Sequence, residues 1–212
     1  MDGILLSSIA SVERSWAKWA ALRGIDAGRM QALAHGRRAI DTLAALCPER
    51  DVEDELKIVE NLEIEDNEGL TVLPGVMALL AALGKTGQDR DHWTVVTSAT
   101  ERLARARLAA GGIPVPERLV TANQVTHGKP HPEPFQAGAA LLGFAPRQCV
   151  VFEDSSSGAE AGRAAGCTVI ATTFSHPAER LEAAHYLVPD LTGVGVQAGA
   201  DGLVLKLTPL AE

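Results

Sequence analysis

Two adjacent carboxylates, Glu153 and Asp154, close the apolar run Val150-Val151-Phe152 and open a small-residue turn, Ser155-Ser156-Ser157-Gly158. A strand buried on both faces reads as an uninterrupted apolar run, and in open α/β sheets the chemistry collects beyond the carboxyl ends of such strands. A hard cation such as Mg2+ takes carboxylate oxygens and keeps several waters, so one or two strand-end acids suffice to hold it. Asp154 also suits a helix N-cap ahead of the serines. Lys129 stands in Gly128-Lys129-Pro130-His131-Pro132. The glycine permits a tight turn and the prolines stiffen the chain after the lysine, so the ammonium is presented to a phosphate or a neighbouring carboxylate as a point charge. A merely solvated lysine is the ordinary alternative. Thr97 and Ser98 end the run Trp93-Thr94-Val95-Val96. Their hydroxyls, with the amides of Ala99 and Thr100, are able to bind phosphoryl oxygens, and they suit the cap of a following helix equally well. Asp2-Gly3 at the N-terminus carries no signal by itself.

The elements that must position these groups fall into two textures. Apolar residues recur at helical spacing from Ser7 to Leu22 (Ile9, Val12, Trp16, Trp19) and stop at Gly24. Residues 26–34, 38–46 and 51–66 continue as helices, Leu73-Pro74-Gly75 breaks the pattern, and 76–83 is helical again. Short apolar runs at 93–96, 119–121, 149–152, 168–171 and 186–188 then alternate with helical stretches at 101–110, 133–142, 157–165 and 178–184. Such alternation predicts βαβ units and a parallel sheet covered by helices. The expected architecture is α/β: a Rossmann-like parallel-sheet core of residues 1–11 and 74–212, with an all-helical cap, 12–73, inserted early. The Gly-rich stretch 193–202 is expected to be a turn before a terminal strand at 203–207.

Composition narrows the partners. The net charge of −8 leaves no basic stripe for nucleic acid or an anionic membrane, although a local lysine and a metal still accommodate a small anion. No run is long and apolar enough to span a bilayer. Cys47, Cys149 and Cys167 lack metal-ligand spacing, and an odd number does not suit a disulfide framework, which predicts reduced thiols in a cytoplasmic protein. His92, His127, His131, His176 and His185 offer no pair at metal-ligand spacing and are expected to be structural or exposed. The sequence leaves the oligomeric state open.

Taken in order, these motifs resemble those of the haloacid dehalogenase superfamily, and within it the capped sugar- and polyol-phosphate phosphatases. Asp2-Gly3-Ile4-Leu5 resembles the end of that family's Asp-x-Asp-Gly-Thr-Leu motif, with Ile4 in place of its threonine. Val96-Thr97-Ser98, Gly128-Lys129-Pro130 and Phe152-Glu153-Asp154-Ser155 resemble the three later motifs. Thr121 to Val125 and Ala164 to Cys167 look like the flanking text of glycerol-phosphate and deoxysugar-phosphate phosphatases.

The resemblance implies a Mg2+ ion held by Asp2, Glu153 and Asp154, a phosphate gripped by Thr97, Ser98, Ala99 and Lys129, and a leaving group read by the cap residues His35, Gly36, Arg37 and Arg38. A solvated helix-start loop is an equal reading of the last four, with Asp41 pairing Arg37 or Arg38. In the implied mechanism one Asp attacks phosphorus to give an aspartyl-phosphate, while a second, onto which Asp2 maps, serves as acid and base. The first Asp would lie one residue before Met1. The sequence therefore predicts a chain lacking its nucleophile and the central strand that carries it, truncated and inactive as written. The alternatives on the same scaffold are a sugar phosphomutase and a non-catalytic sugar-phosphate-binding protein; a haloacid dehalogenase, which needs no metal, is disfavoured by the acidic cluster.

Overall fold

The computed structural model describes residues 1–26, 38–84, 92–199 and 202–208. The first half is helical: a short β1 (Leu6–Ser7), α1 (Ile9–Arg23), α2 (Ala39–Leu46), α3 (Val52–Glu65), a short β2 (Thr71–Val72) and α4 (Val76–Gly84). The second half alternates: α5 (Glu101–Ala110), α6 (Glu133–Leu142), β3 (Val150–Glu153), α7 (Ser156–Ala165), β4 (Thr168–Thr172), β5 (Tyr186–Val188), then β6 (Val194–Gly199) and β7 (Gly202–Leu207). The α/β class expected from the sequence is the class observed.

Strands β3, β4 and β5 form a parallel sheet in that order, with Val151 opposite Val169 and Ile170 opposite Tyr186. The crossover helix α7 lies close on it because its inward face is built of Gly158, Ala159, Ala161, Gly162 and Ala165. A Cβ at Gly162 would sit 2.8 Å from a Val169 methyl, so the helix rests on the strands at a distance only glycine allows. Residues 93–97 and 119–121 make a second parallel pairing, in which Val120 accepts from the Thr97 amide and donates to the Val95 carbonyl, each at 2.9 Å. Among the described residues no strand ladder joins this pair to β3. The N-terminal segment packs Ile4 and Leu6 into one core cluster with Val95, Leu119 and Ile170; Leu5 accepts from Leu73, and Gly3 accepts from Thr172 on β4.

Two expectations are corrected. Residues 178–184 do not form a helix. Only a 3-10 turn, Ala178–Arg180, is present, because the chain must rejoin the sheet at once: His185 already donates to Val169. The Gly-rich stretch is largely strand rather than turn, since Val194, Val196 and Ala198 alternate against β7 in an antiparallel ladder. Residues 27–34 of the predicted helix 26–34 lie outside the described residues.

A separate apolar cluster holds the helical segment together. Trp16, Trp19, Leu43 and Val59 are buried there, and the two indoles meet edge to face at 5.6 Å. Each indole N–H is satisfied by a carboxylate of α3, Trp16 by Glu63 and Trp19 by Glu55, both at 2.7 Å. Where α3 ends, Arg14 grips Asp66 through Nε (2.9 Å) and Nη2 (2.6 Å), and Ser11 donates to the Asp66 carbonyl. The hydrogen bonds from Arg14 hold the Asp66 carboxyl down at about 2, against an ordinary value of 3.8. A depressed folded-state pKa gives stability that is complete above the unfolded value and is lost as pH falls through the folded one. Urea midpoints measured from pH 5 to pH 2.5 should therefore fall more steeply for the wild type than for Asp66→Asn; parallel slopes would contradict this role.

Candidate active site

Beyond the carboxyl end of β3, a cavity of about 480 Å³ opens between the sheet and the helical segment. Its floor is set by a buried ion pair. Lys129 and Glu153 are each more than nine-tenths buried and bonded to one another through Nζ and Oε1. The other Glu153 oxygen accepts from the amides of Asp154 (3.0 Å) and Ser155 (3.2 Å) and from the Ser155 hydroxyl (3.0 Å). Burial works against the charged carboxylate, but the Lys129 ammonium outweighs it and holds Glu153 well below its usual range. The ammonium also lies 4.8 Å over the Phe135 ring.

Asp154 responds in the opposite direction. Burial and the adjacent Glu153 charge push its carboxyl up to about 6. It is not the helix cap: Ser155 fills that place, accepting from Gly158 at 3.1 Å. The Asp154 carboxyl instead closes on the backbone of Gly3, where a Cβ would fall 1.8 Å from Oδ2 and φ is +70°. Only glycine fits between the acidic turn and Asp2.

Asp2 is held by side chains rather than by a strand. Its Oδ1 accepts from Ser8 (2.6 Å) and from Nη1 of Arg107 (3.0 Å). Burial opposes its charge, yet Arg107, the adjacent Met1 amino group and Ser8 bring its pKa below the ordinary value. Arg107 also donates to Glu63 at 3.0 Å, and Glu63 is in turn bonded to Trp16, so one buried chain of polar contacts runs from Asp2 on the core to the indole of α1. Burial, only partly offset by Arg107, raises the Glu63 pKa.

Thr97, Ser98 and Ala99 line the same cavity. The cap of α5 belongs to Thr100, which accepts from Leu103 and donates to Glu60 on α3, so Thr97 and Ser98 do not serve as that cap. The Thr97 hydroxyl accepts from Ala99 at 3.2 Å. Of the helical-segment candidates, His35, Gly36 and Arg37 lie outside the described residues. Arg38 forks onto Asp41, both bonds at 2.8 Å, and donates to the Val125 carbonyl at 3.1 Å, packing against Gly128 beside the lysine turn.

The geometry brings Asp2, Thr97, Ser98, Ala99, Lys129, Glu153, Asp154 and Arg38 around one cavity. A phosphoester bound there would meet an ammonium and two hydroxyls, beside the buried carboxyl of Asp154. A profile of haloacid dehalogenase-like hydrolases matches residues 1–166. The chain belongs to the haloacid dehalogenase-like hydrolases. It is 39% identical to hexitol phosphatase A of Escherichia coli over 208 residues, covering 97% of this chain and 95% of that one. It is 32% identical to glycerol-1-phosphate phosphohydrolase 2 of Saccharomyces cerevisiae over 185 residues, 82% of this chain and 73% of the other. The crystal structure of CbbY from Rhodobacter sphaeroides, solved with phosphate, superposes with a TM-score of 0.77 at 22% identity over 91% and 92% of the two chains, a likeness of fold.

Sequence reasoning missed Arg107, Glu63, Ser8 and Trp16 as part of the lining of this cavity. A signal was present: Arg107 shares the buried face of α5 with Leu103, Ala104 and Leu108, and Glu55, Val59 and Glu63 make a buried stripe with i, i+4 spacing on α3. A charge on a core face implies a buried partner. Replacing Lys129 by Met strands the Glu153 carboxylate, and breaking a buried pair costs about 3–5 kcal/mol. Urea unfolding of K129M at pH 7 should show a loss of that order, with much of it recovered in the double variant K129M/E153Q. A single variant as stable as the wild type would remove the ion pair from this account.

Proposed function

We propose that this hydrolase cleaves the phosphate monoester of a small sugar or polyol, with Mg2+ as cofactor, beneath a helical cap formed by residues 12–73 on a core of 1–11 and 74–212. The observation that carries the reading is the convergence of Lys129, Asp154, Thr97 and Asp2 on one cavity roofed by α1 and α3. The hexitol and glycerol phosphatase names of relatives at 39% and 32% identity favour hydrolysis of a polyol phosphate over phosphomutase chemistry.

The donor set suits the cation. Asp154, Glu153 and Asp2 line one space as oxygen donors; burial and the Glu153 charge raise the Asp154 carboxyl, and Glu153 is already bonded to Lys129 and the turn amides. When bound, the ion supplies positive charge to the transferring phosphoryl oxygens. Lys129 contributes a second fixed charge to those oxygens, and the amides and hydroxyls at Thr97 to Ala99 orient them. Asp2, held by hydrogen bonds from Ser8 and Arg107, delivers a proton to the departing alkoxide and, ionised by that transfer, then takes the proton of the hydrolytic water, which returns it to its starting form. Arg38 joins the segment after the cap loop to the lysine turn, at the wall of the cavity. Three free thiols, Cys47 and Cys167 buried and Cys149 half-buried, accord with a reduced, cytoplasmic setting.

In this chemistry a carboxylate attacks phosphorus two positions ahead of the acid–base aspartate. The chain preceded by an apolar strand ending in Asp should release inorganic phosphate from a polyol phosphate with Mg2+, and lose that activity with EDTA or in D154N. Binding without turnover by the extended chain would contradict the phosphatase reading itself.

A further inference from the structure

Outside the cavity, the loop that presents Lys129 carries a second group of donors. His127, His131 and Glu133 face one another at the surface, with one ligand atom from each lying within 4.8 Å of the others. Three residues separate the histidines in sequence, but the turn through Gly128 and Pro130 brings their rings together with centroids 4.5 Å apart at 34°. Spacing along the sequence does not mark this pair for a metal; the fold brings the two rings together, and both are exposed, one of the two placements expected of the histidines.

We propose that His127, His131 and Glu133 form a surface site for a borderline divalent ion of the zinc type, separate from the acidic cavity. Two ligands each about 2.0–2.1 Å from a tetrahedral zinc stand about 3.3–3.4 Å apart. Nδ1 of His127 lies 3.0 Å from Glu133 Oε2, and Nδ1 of His131 lies 3.9 Å from the same oxygen, so the present separations bracket that value. Modest side-chain rotation closes the difference.

The carboxylate is set in place before any ion arrives. Glu133 accepts from the amides of Thr126 (2.6 Å) and His127 (2.9 Å), and those bonds, with the His127 ring, hold its pKa at about 2. It is therefore ionised throughout the neutral range, with little ordering cost left for binding. His131 accepts the Glu133 amide only weakly, at 3.3 Å, a contact that an ion readily displaces. The neighbouring cations do not oppose the ion strongly, because Lys129 is paired with Glu153 and Arg38 with Asp41. Two imidazoles and one carboxylate suit zinc, nickel or copper, whereas Mg2+ prefers oxygen ligands alone. Solvent exposure leaves the remaining coordination positions to water.

Zinc alone serves as the probe, titrated into the full chain against a chromophoric chelator with Mg2+ in large excess. The wild type should take up one equivalent. H127A and H131A, both at exposed positions and so expected to fold, should each weaken uptake by more than about tenfold, a scale that loss of a supporting partner already reaches. D154N, altered in the cavity, should retain it. No uptake by the wild type, retention by either histidine variant, or loss in D154N would each overturn the proposal.

Discussion

A buried ammonium and a buried carboxylate cannot stand alone in a protein interior, and the pairing of Lys129 with Glu153 is the constraint that shapes every other part of the site. Glu153 can lie at the end of β3 only if its second oxygen is also satisfied, which the turn does with two amides and the Ser155 hydroxyl. That turn demands small residues: a Cβ at Gly158 would fall 2.0 Å from the Glu153 carboxyl carbon. The Pro-braced loop is needed because the lysine must arrive in one position without large loss of side-chain freedom. Asp154 lies in the same low-dielectric space, where burial and the Glu153 charge raise its carboxyl while Ser175, the Met1 amino group and Lys129 act in the opposite direction. A divalent cation proposed there would favour its ionised form.

A second buried charge system ties this floor to the helices above. Arg107 divides its guanidinium between Asp2 and Glu63, and Glu63 divides its oxygens between Arg107 and Trp16. The Arg107 Nε finds no partner among the described residues. Any movement of α3 relative to α5 therefore alters the electrostatic surroundings of Asp2, the group proposed to move protons. Thr100 and Arg102 add a rim to the same joint by bonding Glu60, and Arg38 clasps the lysine loop from the other end. Such contacts make the helices above and the cavity floor one electrostatic unit.

The parallel strands at 168–172 and 186–188 and the helices at 101–110 and 133–142 were legible because burial on both faces, or on one, leaves an unmistakable pattern in local sequence. The convergence of Lys129 with Glu153 was legible through strand-end position and motif order. Residues 178–184 misled because their helix-forming composition yields to the short span available before β5. Arg107 was hidden for a different reason: its partners lie 105 and 44 residues away, and nothing local announces which acid a buried arginine will meet. The histidine cluster required the fold of the proline loop, since spacing along an irregular chain does not specify distance.

Isothermal titration of inorganic phosphate into the protein, with and without Mg2+, asks whether acids, ammonium and hydroxyls cooperate in gripping a phosphoryl group. Phosphate should bind in the presence of Mg2+, weaken sharply without it, and be lost in D154N. Binding indifferent to both the metal and that substitution would contradict the account.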